Sequence, residues 1–324
     1  MPWATPAPVP WASERSGGVS GCWARSADRK IMTVPTLSHP ADTLPRAFIV
    51  GCQKSGTSWM QALLNAHPEV CARGEACFGT SLLPRLAGLT EAYNKAQRAG
   101  TTNAFDADDS AQIMRLAICT LQRKWFEAAK SKSPVRIIAE KTPEEALTLD
   151  TLGRVFPAMR VIHIIRDGRD GVVSGWHHNL REDAAAFKSR FPTLASYTRY
   201  FVEHHWLPYI TAARRWGIEH PEQYLELQYE DVLDHPTEHA RTIFGFLGVD
   251  ASDEPVGQAV ERASFRSMSG GRAQGETDNA SHMRKGTSGG WREDLDQASI
   301  EIFEQIGGSM LDTLGYPRAA AMST

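Results

Sequence analysis

Residues 48–59 read F-I-V-G-C-Q-K-S-G-T-S-W, an apolar run that enters a glycine turn and leaves it through a cluster of hydroxyls. Gly51 and Gly56 stand at the G-x-x-x-x-G spacing of an ATP-binding phosphate loop. In such a loop Lys and then Ser or Thr follow the second glycine. Here Thr57 and Ser58 follow it, and Lys54 precedes it. Backbone N–H groups of a tight glycine turn, with the unpaired N–H groups that open a helix, form a concave anion site. Ser55, Thr57 and Ser58 add hydroxyl donors, Lys54 adds a mobile positive charge, and Trp59 adds a flat face on which a base can stack.

Working outward, R-A-F-I-V-G (46–51), V-R-I-I-A-E (135–140) and R-V-I-H-I-I-R (160–166) are short, nearly continuous apolar runs. Such runs are expected of strands covered on both faces in a parallel sheet. Y-L-E-L-Q-Y (224–229) alternates more and is expected nearer an edge. From Asp109, read as a helix cap, Ile113, Leu116, Ala117, Thr120 and Leu121 keep one helical face. Residues 194–216 are rich in aromatics, from Tyr197 to Trp216, and read as a helix packed on the core. H-P-E-V-C-A-R-G-E (67–75) follows the first helix and carries Glu75, for which the alternative is a surface glutamate on a loop. Strands alternating with helices predict a three-layer, P-loop-like α/β fold, with a central and mainly parallel sheet flanked by helices.

At 324 residues, 42% hydrophobic and 23% charged, the chain can bury one large core. A formal net charge of -3 argues against a general nucleic-acid binder. No apolar stretch reaches the roughly 18 residues of a membrane span, so no membrane partner is expected. Five cysteines without a C-x-x-C pair suggest reduced thiols rather than zinc or disulfides. Residues 1–45 read as a disordered leader in which Met32 is a possible true start, 46–318 as one domain and 319–324 as a tail. Residues 269–281, S-G-G-R-A-Q-G-E-T-D-N-A-S, read as a flexible stretch.

Two further segments offer anion sites. The run at 160–165 ends in Arg166-Asp167-Gly168-Arg169-Asp170, with Ser174 following on a helical pattern. An ATPase ends its second nucleotide strand with an aspartate that holds Mg²⁺. Arg166 stands in that place; a guanidinium there binds anion directly and repels a metal. Ser174 can present its hydroxyl to the same anion, and the alternative for Arg166 is an ion pair with Asp167 or Asp170. The third segment is H-M-R-K-G-T-S-G-G-W (282–291), where Arg284, Lys285 and Gly286 can order around a phosphate.

These three segments, in this order, resemble those of the sulfotransferases that use 3′-phosphoadenosine 5′-phosphosulfate (PAPS). K-S-G-T-S-W looks like that family's 5′-phosphosulfate loop, with Gln53 where a proline is usual. I-R-D-G-R-D-G-V-V-S is similar to its 3′-phosphate motif, and R-K-G-T-S-G-G-W to its late loop. Y-E-D-V-L-D-H-P with F-L-G-V (229–249) matches a further recurrent segment, and the likeness covers about residues 46–317. It implies that Lys54 contacts the leaving phosphate, and that Ser55, Gly56, Thr57 and Ser58 surround the 5′-phosphate. Trp59 would stack on adenine with Tyr229 nearby. Arg166, Ser174, Arg284, Lys285 and Gly286 would hold the 3′-phosphate. No metal is implied.

The reaction so implied is transfer of a sulfuryl group to an acceptor hydroxyl or amine, which needs a base. In the cytosolic small-molecule branch the base is a histidine in a K-T-H-type segment. The comparable stretch here is Glu140-Lys141-Thr142-Pro143, with Pro143 at the histidine's place. Glu75 is the better candidate, because its segment resembles that of tyrosylprotein and some carbohydrate sulfotransferases, although the spacing differs by about one residue. Lys141 becomes a candidate acceptor-site residue by likeness to the E-K-S-P segment of carbohydrate enzymes. His177 or His178, just past Ser174, are further candidates for the acceptor pocket. The Golgi-type members act on protein and glycan. With no anchor or signal in view, the expectation is a soluble, cytoplasmic enzyme acting on a small metabolite, with its oligomeric state open. An ATP-dependent P-loop kinase and a non-catalytic nucleotide-binding protein are the alternatives.

Overall fold

A computed structural model describes residues 39–97, 102–129, 132, 134–278 and 285–319. Its centre is a five-stranded sheet of β1 (Arg46–Val50), β2 (Val70–Gly74), β3 (Ile137–Lys141), β4 (Arg160–Ile165) and β5 (Tyr224–Gln228). The spatial order is β2-β3-β1-β4-β5, and every pairing is parallel. All five carboxyl ends therefore meet at one edge, where open α/β sheets gather their ligands. The register keeps those ends level: Ile49 pairs with Lys141, and Gly74 pairs with the same Lys141 from the other side.

Alternate residues of each strand feed opposite layers, as the pleat requires. Phe48, Val50, Val161 and Ile165 point into one core. It is closed by α2 (Ala107–Ala128), α3 (Gly168–Arg190), α4 (Leu194–Phe201), α5 (Leu207–Glu219) and α8 (Gln297–Leu314). Ala47, Ile49, Ile162 and Ile164 point into the other, against α1 (Thr57–Ala66), α6 (Pro236–Leu247) and α7 (Asp253–Arg262). The three-layer α/β fold expected from the alternation of strands and helices is the one observed. The four expected strands form within a residue or two, and β5 lies at an edge.

Two local readings need correction, and one strand adds to the four expected. The segment around Val70 is that strand, β2: Val70, Cys71 and Ala72 are buried in its pairing with β3. Three apolar residues are too short a run to announce a strand. The cap of α2 is Asp106, whose side chain accepts from the amide of Asp109, while Asp109 reaches back to the Asp106 amide. The buried face of that helix is Met114, Ile118, Cys119 and Gln122, about one residue around from the face expected; Thr120 is exposed. Residues 39–45, read as leader, pack onto the domain through the turn Pro40–Thr43, where Asp42 pairs with Arg123 at 2.7 Å.

Candidate active site

The loop after β1 is committed to its shape by backbone that side chains resist. Gly56 has φ 100°, and a Cβ there would lie 2.5 Å from the Tyr229 ring. Lys54 is left-handed without being glycine, at φ 71°. That conformation costs on the order of 1–2 kcal/mol and places the lysine side chain at the loop's tip. Gly56 also caps α1 and has no side chain with which to satisfy the first amides. The helix end thus presents N–H groups together with its positive dipole end. Ser55 Oγ is buried beside them without a hydrogen-bond partner among the described residues. The Gln53 side-chain amide donates to Glu144, and the Gly51 amide to the Pro143 carbonyl, 3.4 Å away. These two contacts tie the loop to the end of β3.

Arg166 leaves the end of β4 and joins three elements. It donates to the Lys54 carbonyl (3.2 Å) and to the Thr287 carbonyl (2.9 Å), and it lies over the Tyr229 ring at 4.7 Å. Its own carbonyl accepts from the Trp206 indole at 3.0 Å. The ion pair with Asp170 is loose, at 3.8 Å, and the buried Nε has no partner among the described residues. The neighbouring carboxylates are occupied elsewhere. Asp167 grips the fully buried Arg169 through two contacts of 3.0 and 2.8 Å, and Arg169 stacks 3.8 Å over Trp291. Asp170 accepts from the amides of Gly289 (2.6 Å) and Trp291 (2.9 Å), which pins the late loop beside Arg166.

In that late loop Lys285 pairs with Glu293 at 3.5 Å, and Gly286 has φ 66° with the Phe265 ring against it. Arg284 lies outside the described residues. Trp59, one turn into α1, has its indole N–H fixed by the Ala263 carbonyl at 2.8 Å and packs in the same cluster as Tyr229. Ser174 is half-buried in the second turn of α3, with no hydrogen bond to the loop among the described residues. Arg166 thus joins Lys54, Tyr229 and Thr287 by direct contacts, and Tyr229 lies against Gly56. Lys285 and Gly286 come near only as chain neighbours of Thr287, and no hydrogen bond among the described residues joins Ser174 to this group.

The acceptor-side candidates meet at the ends of β2 and β3. Lys141 Nζ lies 2.6 Å from Glu75 Oε1; the lysine side chain is 4% exposed and the glutamate 70%. An ion pair half in water is worth little in itself, but a lysine so deeply buried needs its partner. Glu75 faces the same space as Lys54. Burial, together with Arg181 and Arg166, lowers the Lys54 pKa to about 8, and Glu75 and Glu182 oppose the shift. Arg181, on α3, is the charged neighbour that the sequence did not single out; only the path of that helix over the sheet edge brings it near. His178 Nδ1 accepts from the Arg181 guanidinium at 2.7 Å on the same helix. No group of three or more metal-binding side chains is found among the described residues, and no helix there is long and apolar enough to cross a membrane.

A model of the sulfotransferase family matches residues 45–253. The chain is 27% identical over 217 residues to protein-tyrosine sulfotransferase 1 of Danio rerio, covering 65% of this chain and 55% of that protein. It is 27% identical over 220 residues to protein-tyrosine sulfotransferase 2 of Gallus gallus, covering 65% and 53%. Cytosolic sulfotransferase 3 of Arabidopsis thaliana is 27% identical over 183 residues, covering 51% and 56%. The chain spans about half the length of the curated relatives it matches. Among solved structures, a mouse sulfotransferase complexed with PAP, the 3′,5′-bisphosphate, has a TM-score of 0.51 at 17% identity, covering 84% of this chain and 86% of that one; the likeness shows the fold.

These relatives overturn the cytoplasmic assignment. The matches that span 65% of the chain are protein-tyrosine sulfotransferases, the branch set aside above for want of an anchor, and the cytosolic enzyme spans only 51%. A missing anchor carries no weight where the match covers only about half of each relative's length. With the family match running over more than half of its length, the chain belongs to the sulfotransferase family.

Proposed function

We propose that this chain transfers the sulfuryl group of PAPS to a phenolic hydroxyl, that of a tyrosine borne on a peptide or protein. Arg166 carries the donor half of this reading. It is a guanidinium at the place of a metal-binding carboxylate, tied to the phosphate loop and the late loop, with a buried Nε that has no partner among the described residues. The residues present fit a donor with phosphates at both ends. Gly56, Thr57 and Ser58 offer helix-end amides and hydroxyls, and Ser55 offers an unpartnered hydroxyl, to the 5′-phosphate. Arg166 and Lys285 offer cations to the 3′-phosphate, with Ser174, Gly286 and Arg284 as further proposed contacts. Trp59 and Tyr229 offer faces to the adenine. The rival ATP·Mg²⁺ reading finds Asp167 and Asp170 already engaged by Arg169 and by two amides.

In the reaction, Glu75 takes the acceptor's hydroxyl proton as the oxygen attacks sulfur. The bond from sulfur to the bridging oxygen breaks, and Lys54 neutralises the charge that collects on the departing phosphate. Lys141 pairs with Glu75 at 2.6 Å and lies where the acceptor must approach. The exposure of Glu75 and the names of the relatives support an acceptor carried on a larger body rather than the small metabolite expected from sequence.

The test is transfer from ³⁵S-labelled PAPS to three acceptors: a tyrosine peptide, the same peptide with phenylalanine, and a small phenol. Label on the tyrosine peptide alone, or much faster there than on the phenol, supports the reading. Label on the small phenol but not on the peptide overturns the acceptor half.

A further inference from the structure

The turn that carries Glu75 is built from backbone that L-residues avoid. Glu75 at φ 60° and Cys77 at φ 52° are both left-handed without being glycine. Such a turn persists only where its surroundings hold it. Three successive amides are held by the end of β3: Glu75 N–H donates to the Lys141 carbonyl (2.6 Å), Ala76 N–H to Glu140 Oε1 (3.0 Å) and Cys77 N–H to Thr142 Oγ1 (3.3 Å). The Thr142 hydroxyl donates in turn to the same Glu140 oxygen at 2.6 Å. Two of the three holds therefore converge on one carboxyl group.

Glu140 is 1% exposed, and among the described residues its carboxyl accepts from the Ala76 amide and the Thr142 hydroxyl. Burial pushes its pKa up to about 8, with Glu145 adding to the rise and the bonds from Thr142 and Ala76 opposing it. A neutral acid keeps a carbonyl oxygen to accept both bonds, so the hold survives protonation.

We propose that Glu140 is a positioning residue: by holding the Ala76 amide and the Thr142 hydroxyl, it fixes the left-handed turn that aims Glu75 at the acceptor hydroxyl. The proposal rests on Glu75 being the base of the reaction proposed above. It separates two neighbours at the end of β3, Lys141 facing the acceptor and Glu140 bracing the turn from beneath.

The test compares Glu140→Ala, which removes the acceptor oxygen, with Glu140→Gln, which keeps one in a neutral group of the same shape. Three quantities are read: kcat and KM for the tyrosine peptide at pH 7, PAP affinity by calorimetry, and amide hydrogen exchange over residues 75–77. Glu140→Ala should lower kcat by about 10- to 100-fold, the scale expected of a displaced catalytic group, with PAP affinity unchanged and faster exchange at 75–77. Glu140→Gln should restore kcat and exchange most of the way. An unchanged kcat or exchange in Glu140→Ala overturns the proposal, and so does Glu140→Gln falling as far as Glu140→Ala. If Glu140→Ala does not fold, Thr142→Val must show the same split to a lesser degree; wild-type kcat and exchange there also overturn it. The exchange measurement needs no acceptor. A wild-type protein that binds PAP and transfers nothing therefore sinks the proposed reaction while still showing whether Glu140 holds the turn.

Discussion

Arg166 donates to the backbone carbonyl of Lys54 at 3.2 Å, so the cation read as a 3′-phosphate ligand also braces the loop read as the 5′-phosphate site. The same guanidinium reaches the Thr287 carbonyl at 2.9 Å. A single planar fork thus ties the loop after β1 to the late loop. Replacing Arg166 with Ala should weaken PAP binding by about 10- to 100-fold, the range for losing a charge-assisted contact. Arg166→Lys should recover little, because a single ammonium cannot span two carbonyls and an anion together. Calorimetry reads both; unchanged affinity in Arg166→Ala places the 3′-phosphate elsewhere.

Lys54 gives the site a pH dependence whose direction follows from its surroundings. With its pKa lowered to about 8, chiefly by burial, Lys54 is charged below that pH and loses its proton above it. In the free enzyme kcat/KM should therefore fall as pH rises through about 8. Bound donor phosphates favour the charged form, so kcat should hold to higher pH and PAP binding at pH 8–9 should take up a proton. Calorimetry in buffers of different ionisation enthalpy measures that uptake. Proton release on binding would contradict the assignment.

Glu75→Gln should lower turnover by about 10²- to 10⁴-fold, the usual scale for a lost general base. Donor affinity should be largely retained, since the Glu75 carboxylate is paired with Lys141 at 2.6 Å. Single-turnover transfer from labelled PAPS separates the two effects. Near-normal turnover would mean that another group takes the proton.

Gly56→Ala tests the loop's geometry without touching a charge. The new Cβ would meet Tyr229 at 2.5 Å in a backbone conformation that alanine resists. Steric overpacking and left-handed strain together should destabilise the fold by about 2–4 kcal/mol. Thermal unfolding measures it, and a melting temperature unchanged by the substitution would show that the loop relaxes freely.

Four of the strands were legible because each is a short apolar run between turn signals, and the phosphate loop because glycines and hydroxyls keep their spacing. β2 was not, since Val70, Cys71 and Ala72 become a strand only through pairing with β3. The meeting of Glu75 with Lys141 depends on that same pairing, which sets Gly74 opposite Lys141. Sequence supplied both residues as candidates but nothing that would put them 2.6 Å apart. Glu140, read only as a possible ion-pair partner of Lys141, and Arg181 were given no part in the site for a similar reason. A buried carboxylate and a helical arginine acquire meaning only from what faces them across the fold. Gln53, standing where the resemblance has proline, found its explanation in Glu144, a partner far along the chain.

The most direct test of the central claim is a paired binding measurement on the full chain, with PAP in one cell and ATP with Mg²⁺ in the other. A site braced by Arg166 and led by Lys54 should bind PAP tightly and raise the melting temperature, with ATP·Mg²⁺ far weaker. Stabilisation by ATP·Mg²⁺ with none by PAP would contradict it.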